Sequence, residues 1–140
     1  MLAVRQSRFG KAHEVAEVVE LPEPGPPGPG EVAVTLLAAS IDPGGLHAFE
    51  GKYGAEPPPL PAWCGSQGLG RVTALGEGVT HLKPGDRVLL GTGERNTWRE
   101  RMNHRAEVLY PMPAEADGLS GMVIDRFSAL FDNSNLAATS

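Results

Sequence analysis

The stretch from Gly51 to Gly93 most restricts what this chain can fold into, because glycine or proline ends each apolar run after a few residues. Gly65-Ser66-Gln67-Gly68-Leu69-Gly70-Arg71-Val72 leads through Gly76-Glu77-Gly78-Val79 to Lys83-Pro84-Gly85-Asp86-Arg87-Val88. The pattern predicts strand, tight turn, strand, tight turn, strand. Pro84 presets φ at the first corner of its turn, and Gly85 supplies the positive φ of the second. Strands this short, with turns about every 8–12 residues, predict a small closed or sandwich-like β structure.

The flanking segments extend that reading. Met1–Gln6 is predicted as an edge strand. His13–Glu20 is predicted as a strand on its β-branched Val15, Val18 and Val19. Pro22–Gly30 is too rich in proline and glycine to be anything but loop, and no basic residue within it anchors a proline-rich ligand motif. Glu31–Ser40 begins with period-two alternation and turns continuously apolar, a strand entering buried territory. Asp42-Pro43-Gly44-Gly45 is predicted to break it, with one helical turn at Leu46–Phe49 and a proline loop at 57–61. Thr97–Met102 and Ala106–Tyr110 are predicted as two further strands. From 118 to 131, apolar residues spaced by three and four predict an amphipathic helix followed by a frayed tail.

Composition narrows the function classes. With 140 residues, a single domain is expected. A net charge of −5 gives no electrostatic case for nucleic acid or an anionic membrane surface. No apolar run approaches the roughly 20 residues of a membrane span. The single cysteine, Cys64, forms no internal disulfide and fits a reducing, cytoplasmic setting. Nothing near Cys64 lowers its pKa or supplies a base, so it reads as a packed thiol. The four histidines, His13, His47, His81 and His104, lie at no metal-ligand spacing. Neither Gly65–Gly70 nor Gly91-Thr92-Gly93 has the spacing and strand–helix context of a dinucleotide fingerprint. Tyr53, held between Lys52 and Gly54, has two readings. It is a loop residue half-buried against the prolines, or a phenol placed to donate a hydrogen bond to an oxygen gaining negative charge.

Taken in order, several motifs resemble one family. They are Pro27-Gly28-Pro29-Gly30-Glu31-Val32, Ser40-Ile41-Asp42-Pro43, Gly51-Lys52-Tyr53-Gly54, Pro59-Leu60-Pro61, the Gly65–Val72 run, Leu82–Val88 and Thr97-Trp98-Arg99-Glu100. Residues 1–113 resemble the N-terminal catalytic domain of the medium-chain dehydrogenase/reductase superfamily, in its zinc-free quinone oxidoreductase and trans-2-enoyl-thioester reductase branch. The resemblance implies a mainly β fold, a GroES-like partly open β-barrel with short helical turns and a C-terminal helix. It implies NADPH- or NADH-dependent reduction of an activated double bond in an enoyl thioester, or of a quinone. It carries a catalytic role to Tyr53 and cofactor contacts to Asp42 and Ser128. Zinc-dependent relatives have cysteine near position 40–42 and His-Glu near 66–67. This chain has Ser40, Asp42, Ser66 and Gln67 there, so no zinc is expected. Residues 114–140 resemble the start of the family's linking helix, after which a Rossmann domain is expected but absent. A truncated or frameshifted product is therefore expected, one that binds no nucleotide tightly and is inactive alone. The alternative expectation is a non-catalytic GroES-like module that pairs with a second copy or another partner.

Overall fold

Valines at alternate positions of Glu31–Ala39 turn one face of that strand inward: Val32 and Val34 are fully buried, while Glu31, Ala33 and Thr35 between them are not. In the computed structural model, which describes residues 1–52, 56–91 and 96–113, this strand lies inside a four-stranded antiparallel sheet. The elements in chain order are β1 (Leu2–Gln6), α1 (Ala12–Val15), β2 (Ala16–Glu20), β3 (Glu31–Ala39), α2 (Pro43–Phe49), β4 (Ala62–Trp63), β5 (Gly68–Leu75), β6 (Arg87–Leu90) and β7 (Arg101–Arg105), then a 3₁₀ turn at Ala106–Val108. The four-stranded sheet runs β6-β5-β3-β7, and a three-stranded sheet runs β2-β1-β4.

The larger sheet covers a core of Val32, Val34, Val72, Leu82, Val88 and Leu90, closed by Met102, Ala106 and Leu109. Burying each Val or Leu contributes about 1.5–3 kcal/mol against solvent exposure. The predicted turn at Lys83–Asp86 forms, with Asp86 N–H donating to the Lys83 carbonyl at 3.1 Å and Gly85 at φ 97°. A second, smaller core holds Val15, Phe49 and Cys64, with Trp98 against it.

The two sheets meet through Trp98–Glu100. Val4 N–H donates to the Trp98 carbonyl at 2.9 Å, Glu100 N–H to Leu2 at 3.1 Å, and Leu36 N–H to Glu100 at 2.9 Å. They do not close into a continuous barrel among the described residues. This mainly β architecture is the expected one, with the barrel left open.

Five local expectations are corrected. The strand at Leu2–Gln6 is not an edge: β1 pairs with β2 on one side and β4 on the other, at the centre of its sheet. Residues Ala12–Val15 form one helical turn before β2, because burying Val15 beside Phe49 and Cys64 outweighs its strand propensity. The strand does end ahead of Asp42, at Ala39, but the helical turn expected at Leu46–Phe49 starts earlier: helix α2 begins at Pro43, with Asp42 as its N-cap and Pro at the first position, where the missing N–H costs nothing. The strand expected at 97–102 is displaced to Arg101–Arg105, since residues 98–100 bond to both sheets. Finally, Ala106–Val108 is a 3₁₀ turn and not a strand. His81 Nε2 lies 2.9 Å from both the Ala106 and Leu109 carbonyls, which draws the chain into a turn. The helix expected at 118–131 lies outside the described residues.

Candidate functional site

The end of β3, the start of α2 and the loop after β4 converge on one carboxylate. Asp42 accepts a hydrogen bond from Gly45 N–H at 2.7 Å, satisfying one of the unpaired donors at the helix start. The other carboxylate oxygen accepts from Ser66 Oγ at 2.7 Å and from Ser40 Oγ at 3.3 Å. Hydroxyl donors to an ionised carboxylate form short, strong bonds, and the 2.7 Å separation is of that kind.

Ser66 reaches Asp42 because of Gly65. That glycine has φ +98°, and a side chain there would stand 2.5 Å from the Trp98 ring and 2.7 Å from its backbone nitrogen. With no Cβ, the chain passes close to Trp98, whose N–H donates to the Cys64 carbonyl at 3.1 Å. Trp98 Nε1 donates to the Ser40 carbonyl at 3.2 Å, and Thr97 Oγ1 to the Gln67 carbonyl at 3.0 Å. Ser40 N–H donates to that same Gln67 carbonyl at 3.1 Å. Residues 97–98 thus tie the two halves of the cluster together.

Chemically, this set holds one carboxylate and two hydroxyls, with neither thiolate nor imidazole. Zinc prefers nitrogen and sulfur ligands in tetrahedral sites, and Asp42 already accepts three hydrogen bonds. Among the described residues no three His, Cys, Asp or Glu side chains gather into a metal site. The donor set does not fit zinc.

Helix α2 runs from the cluster to Phe49, four residues ahead of Tyr53 in the sequence. Gly51 N–H bonds the Ala48 carbonyl at 3.1 Å, and Lys52 N–H bonds His47 at 3.0 Å, closing the helix end. Glu50 stands 2.7 Å from Lys11 Nζ. The ammonium holds the Glu50 carboxyl below its ordinary range, and the carboxylate holds Lys11 above its own.

Of the residues singled out from the sequence, Asp42 is at the centre of the cluster, acting as helix cap and hydroxyl acceptor. Tyr53 and Ser128 lie outside the described residues. Cys64 is wholly buried in the smaller core, as a packed thiol should be. Sequence reasoning missed Trp98 and Thr97 as the clamp on Ser40 and Gln67. Nothing local announces such a contact, since 58 residues separate Trp98 from Ser40. It also missed the cap, although Asp followed by Pro is a legible helix-start signal.

A shallow, mainly apolar groove of about 420 Å³ lies beside the cluster, lined by Leu2, Val18, Leu36, Leu37, Ala39 and Trp98, among others. Val18 is 70% exposed on it. No strand–glycine turn–helix unit appears, and every strand pair is antiparallel, so the described residues offer no dinucleotide cradle.

Residues 28–124 match the family described as the alcohol dehydrogenase GroES-like domain. The chain is 39% identical over 114 residues to the mitochondrial enoyl-[acyl-carrier-protein] reductase of Bos taurus, covering 80% of this chain and 30% of that protein. Among solved structures, it superposes on Escherichia coli quinone oxidoreductase complexed with NADPH at TM-score 0.73 and 27% identity, covering 84% of this chain and 35% of the other. Against a putative NADPH:quinone reductase from Bacillus thuringiensis the TM-score is 0.76 at 30% identity, with 93% and 39% covered. The chain spans about a third of the length of these relatives.

Proposed function

We propose that this chain, which belongs to the alcohol dehydrogenase GroES-like domain family of oxidoreductases, is the substrate-side part of a zinc-independent NAD(P)H-dependent reductase acting on an enoyl thioester or a quinone. The Ser40–Asp42–Ser66 cluster carries this reading. Where zinc-dependent relatives are expected to place cysteine and histidine, a carboxylate is satisfied by two hydroxyls and a helix N–H. Such a set has no electrophile to polarise a carbonyl, so that task passes to a proton donor. Tyr53 is that donor. Its phenol donates to the substrate carbonyl oxygen as negative charge develops there. Asp42 contributes by fixing the start of the helix whose far end leads to Tyr53. Since the described residues do not fit a nicotinamide nucleotide, we take the chain alone to be inactive and to bind NADPH weakly.

The test is a graft. Residues 1–113 replace the matching segment of the bovine mitochondrial enoyl reductase, and NADPH consumption is followed with a crotonyl thioester and with a quinone. The graft should turn over, and Tyr53→Phe should lower kcat about a hundredfold or more with KM little changed. Full turnover in Tyr53→Phe removes the phenol from the mechanism. A folded graft inactive on every enoyl thioester and quinone removes the reductase reading.

One observation favours a second reading, that of a non-catalytic module pairing with another copy of itself. Leu2, Val18 and Leu37 are exposed together on the apolar groove, as on a surface that is covered in use. Sedimentation or size-exclusion chromatography of the chain separates the cases: a defined oligomer supports the module, and a stable monomer counts against it.

A further inference from the structure

Arg99 is a half-buried cation with no counterion among the described residues. It bridges to Ala3 of β1, and Trp63 of β4 lies opposite Arg5 on the same strand. Side chains two apart on a strand share a face, so Ala3, Arg5, Trp63 and Arg99 stand on one side of the three-stranded sheet. The Arg99 guanidinium lies over the Trp63 ring, 4.8 Å from its centre. Its Nε donates to the Asn96 carbonyl at 2.9 Å. Together these contacts fix the plane of the group and its direction within that plane. Among the described residues they leave both terminal nitrogens without an acceptor.

The neighbouring carboxylates are engaged elsewhere. Glu100 alternates to the opposite face, where it accepts from Leu2 N–H at 2.6 Å and stands 3.9 Å from Arg101. Glu17, across from Arg5, accepts from Arg5 Nε at 3.3 Å. Burial therefore holds Arg99 below its ordinary pKa, with no acid to offset it. Covering Trp63 alone would need only an apolar stem, which lysine or methionine supplies without a fork. What arginine adds is a flat pair of donors, held ready by the stack and by the Nε bond, whose outer edge matches two oxygens of one anion.

We infer that Arg99, laid on Trp63, is a binding site for the oxyanion of a small molecule, a carboxylate or a phosphate, held by both terminal nitrogens. No residue of this site belongs to the Ser40–Asp42–Ser66 cluster or takes part in the proton transfer proposed above, so the two readings stand or fall separately.

The experiment titrates the whole 140-residue chain, isotope-labelled for nitrogen resonance, with inorganic phosphate and separately with acetate, at ionic strength held constant by chloride. The Arg99 Nε–H and the Trp63 indole N–H report the site, and the Val72 amide, bonded to the Asp86 carbonyl, reports the main core. Both site signals should move along a saturating curve while Val72 stays, and the anion that saturates at the lower concentration names the oxyanion. Arg99→Lys keeps the charge and the stem but loses the fork, so binding read at Trp63 should weaken about tenfold, as for loss of one hydrogen bond to a charged group. Arg99→Gln should abolish saturation. Trp63→Leu removes the stack, and binding read at Arg99 should weaken severalfold; should that variant not fold, Arg99→Lys decides. Shifts that stay linear with both anions, a curve unchanged in Arg99→Lys, or equal movement at Val72 each overturn the site.

Discussion

Replacing Asp42 separates a helix cap from a charge. In Asp42→Ala, the Gly45 N–H loses its acceptor and both serine hydroxyls lose theirs. Loss of an N-cap side chain costs about 1 kcal/mol. Loss of the 2.7 Å bond from Ser66 to a charged acceptor costs about 1.5 kcal/mol more. Ser40, at 3.3 Å, adds little. The sum is about 2.5 kcal/mol, which lowers Tm by roughly 8–10 °C in a domain of this size. Asp42→Asn keeps an oxygen for Gly45 and can donate to the hydroxyls from its nitrogen, so it should cost less than about 1 kcal/mol. Thermal and urea unfolding followed by circular dichroism measure both variants. A fall in Tm below about 4 °C for Asp42→Ala, or equal losses for Ala and Asn, would refute the cluster as described.

Two other outcomes follow from contacts elsewhere. Gly65→Ala places a Cβ within 2.7 Å of the Trp98 nitrogen at φ +98°, so it should destabilise by more than about 2 kcal/mol and move the tryptophan fluorescence; a silent substitution would contradict the close approach. Arg101 bonds Glu23 through both carboxylate oxygens at 2.6 Å and holds its carboxyl below the ordinary value of 4.5. A lowered carboxyl pKa stabilises above the ordinary value and loses that effect as pH falls through the lower folded value. Stability of the parent chain should therefore decline relative to Glu23→Gln between about pH 5 and pH 2, and parallel curves would show that the exposed pair contributes nothing.

Much of the β scaffold was legible because its signals are local. Alternating Val32 and Val34 define an inward face, and Pro84-Gly85 can scarcely be read as anything but a turn. Where the reading failed, a distant partner decided. Val15 is a good strand residue by propensity, yet the pocket made by Phe49 and Cys64 bends its segment into a helical turn. The path of residues 98–100 depends on β1 and β3 offering unpaired backbone groups on either side. The site divides in the same way. Ser40, Asp42, Ser66 and Gln67 were visible as a set of positions without zinc ligands, but their mutual bonding was not, since Ser66 lies 24 residues from Asp42.

The amino-acid order alone therefore settles the alternation, the turns, the lone thiol and the choice of oxygen over sulfur and nitrogen at the cluster, because each depends on residue type or on neighbours a few positions away. Tertiary structure decides that Asp42 is a shared acceptor, that Gly65 admits Trp98, and that buried Gln6 donates to the Phe49 carbonyl. Those facts belong to contacts across dozens of residues, whose geometry is set only when both sheets have packed.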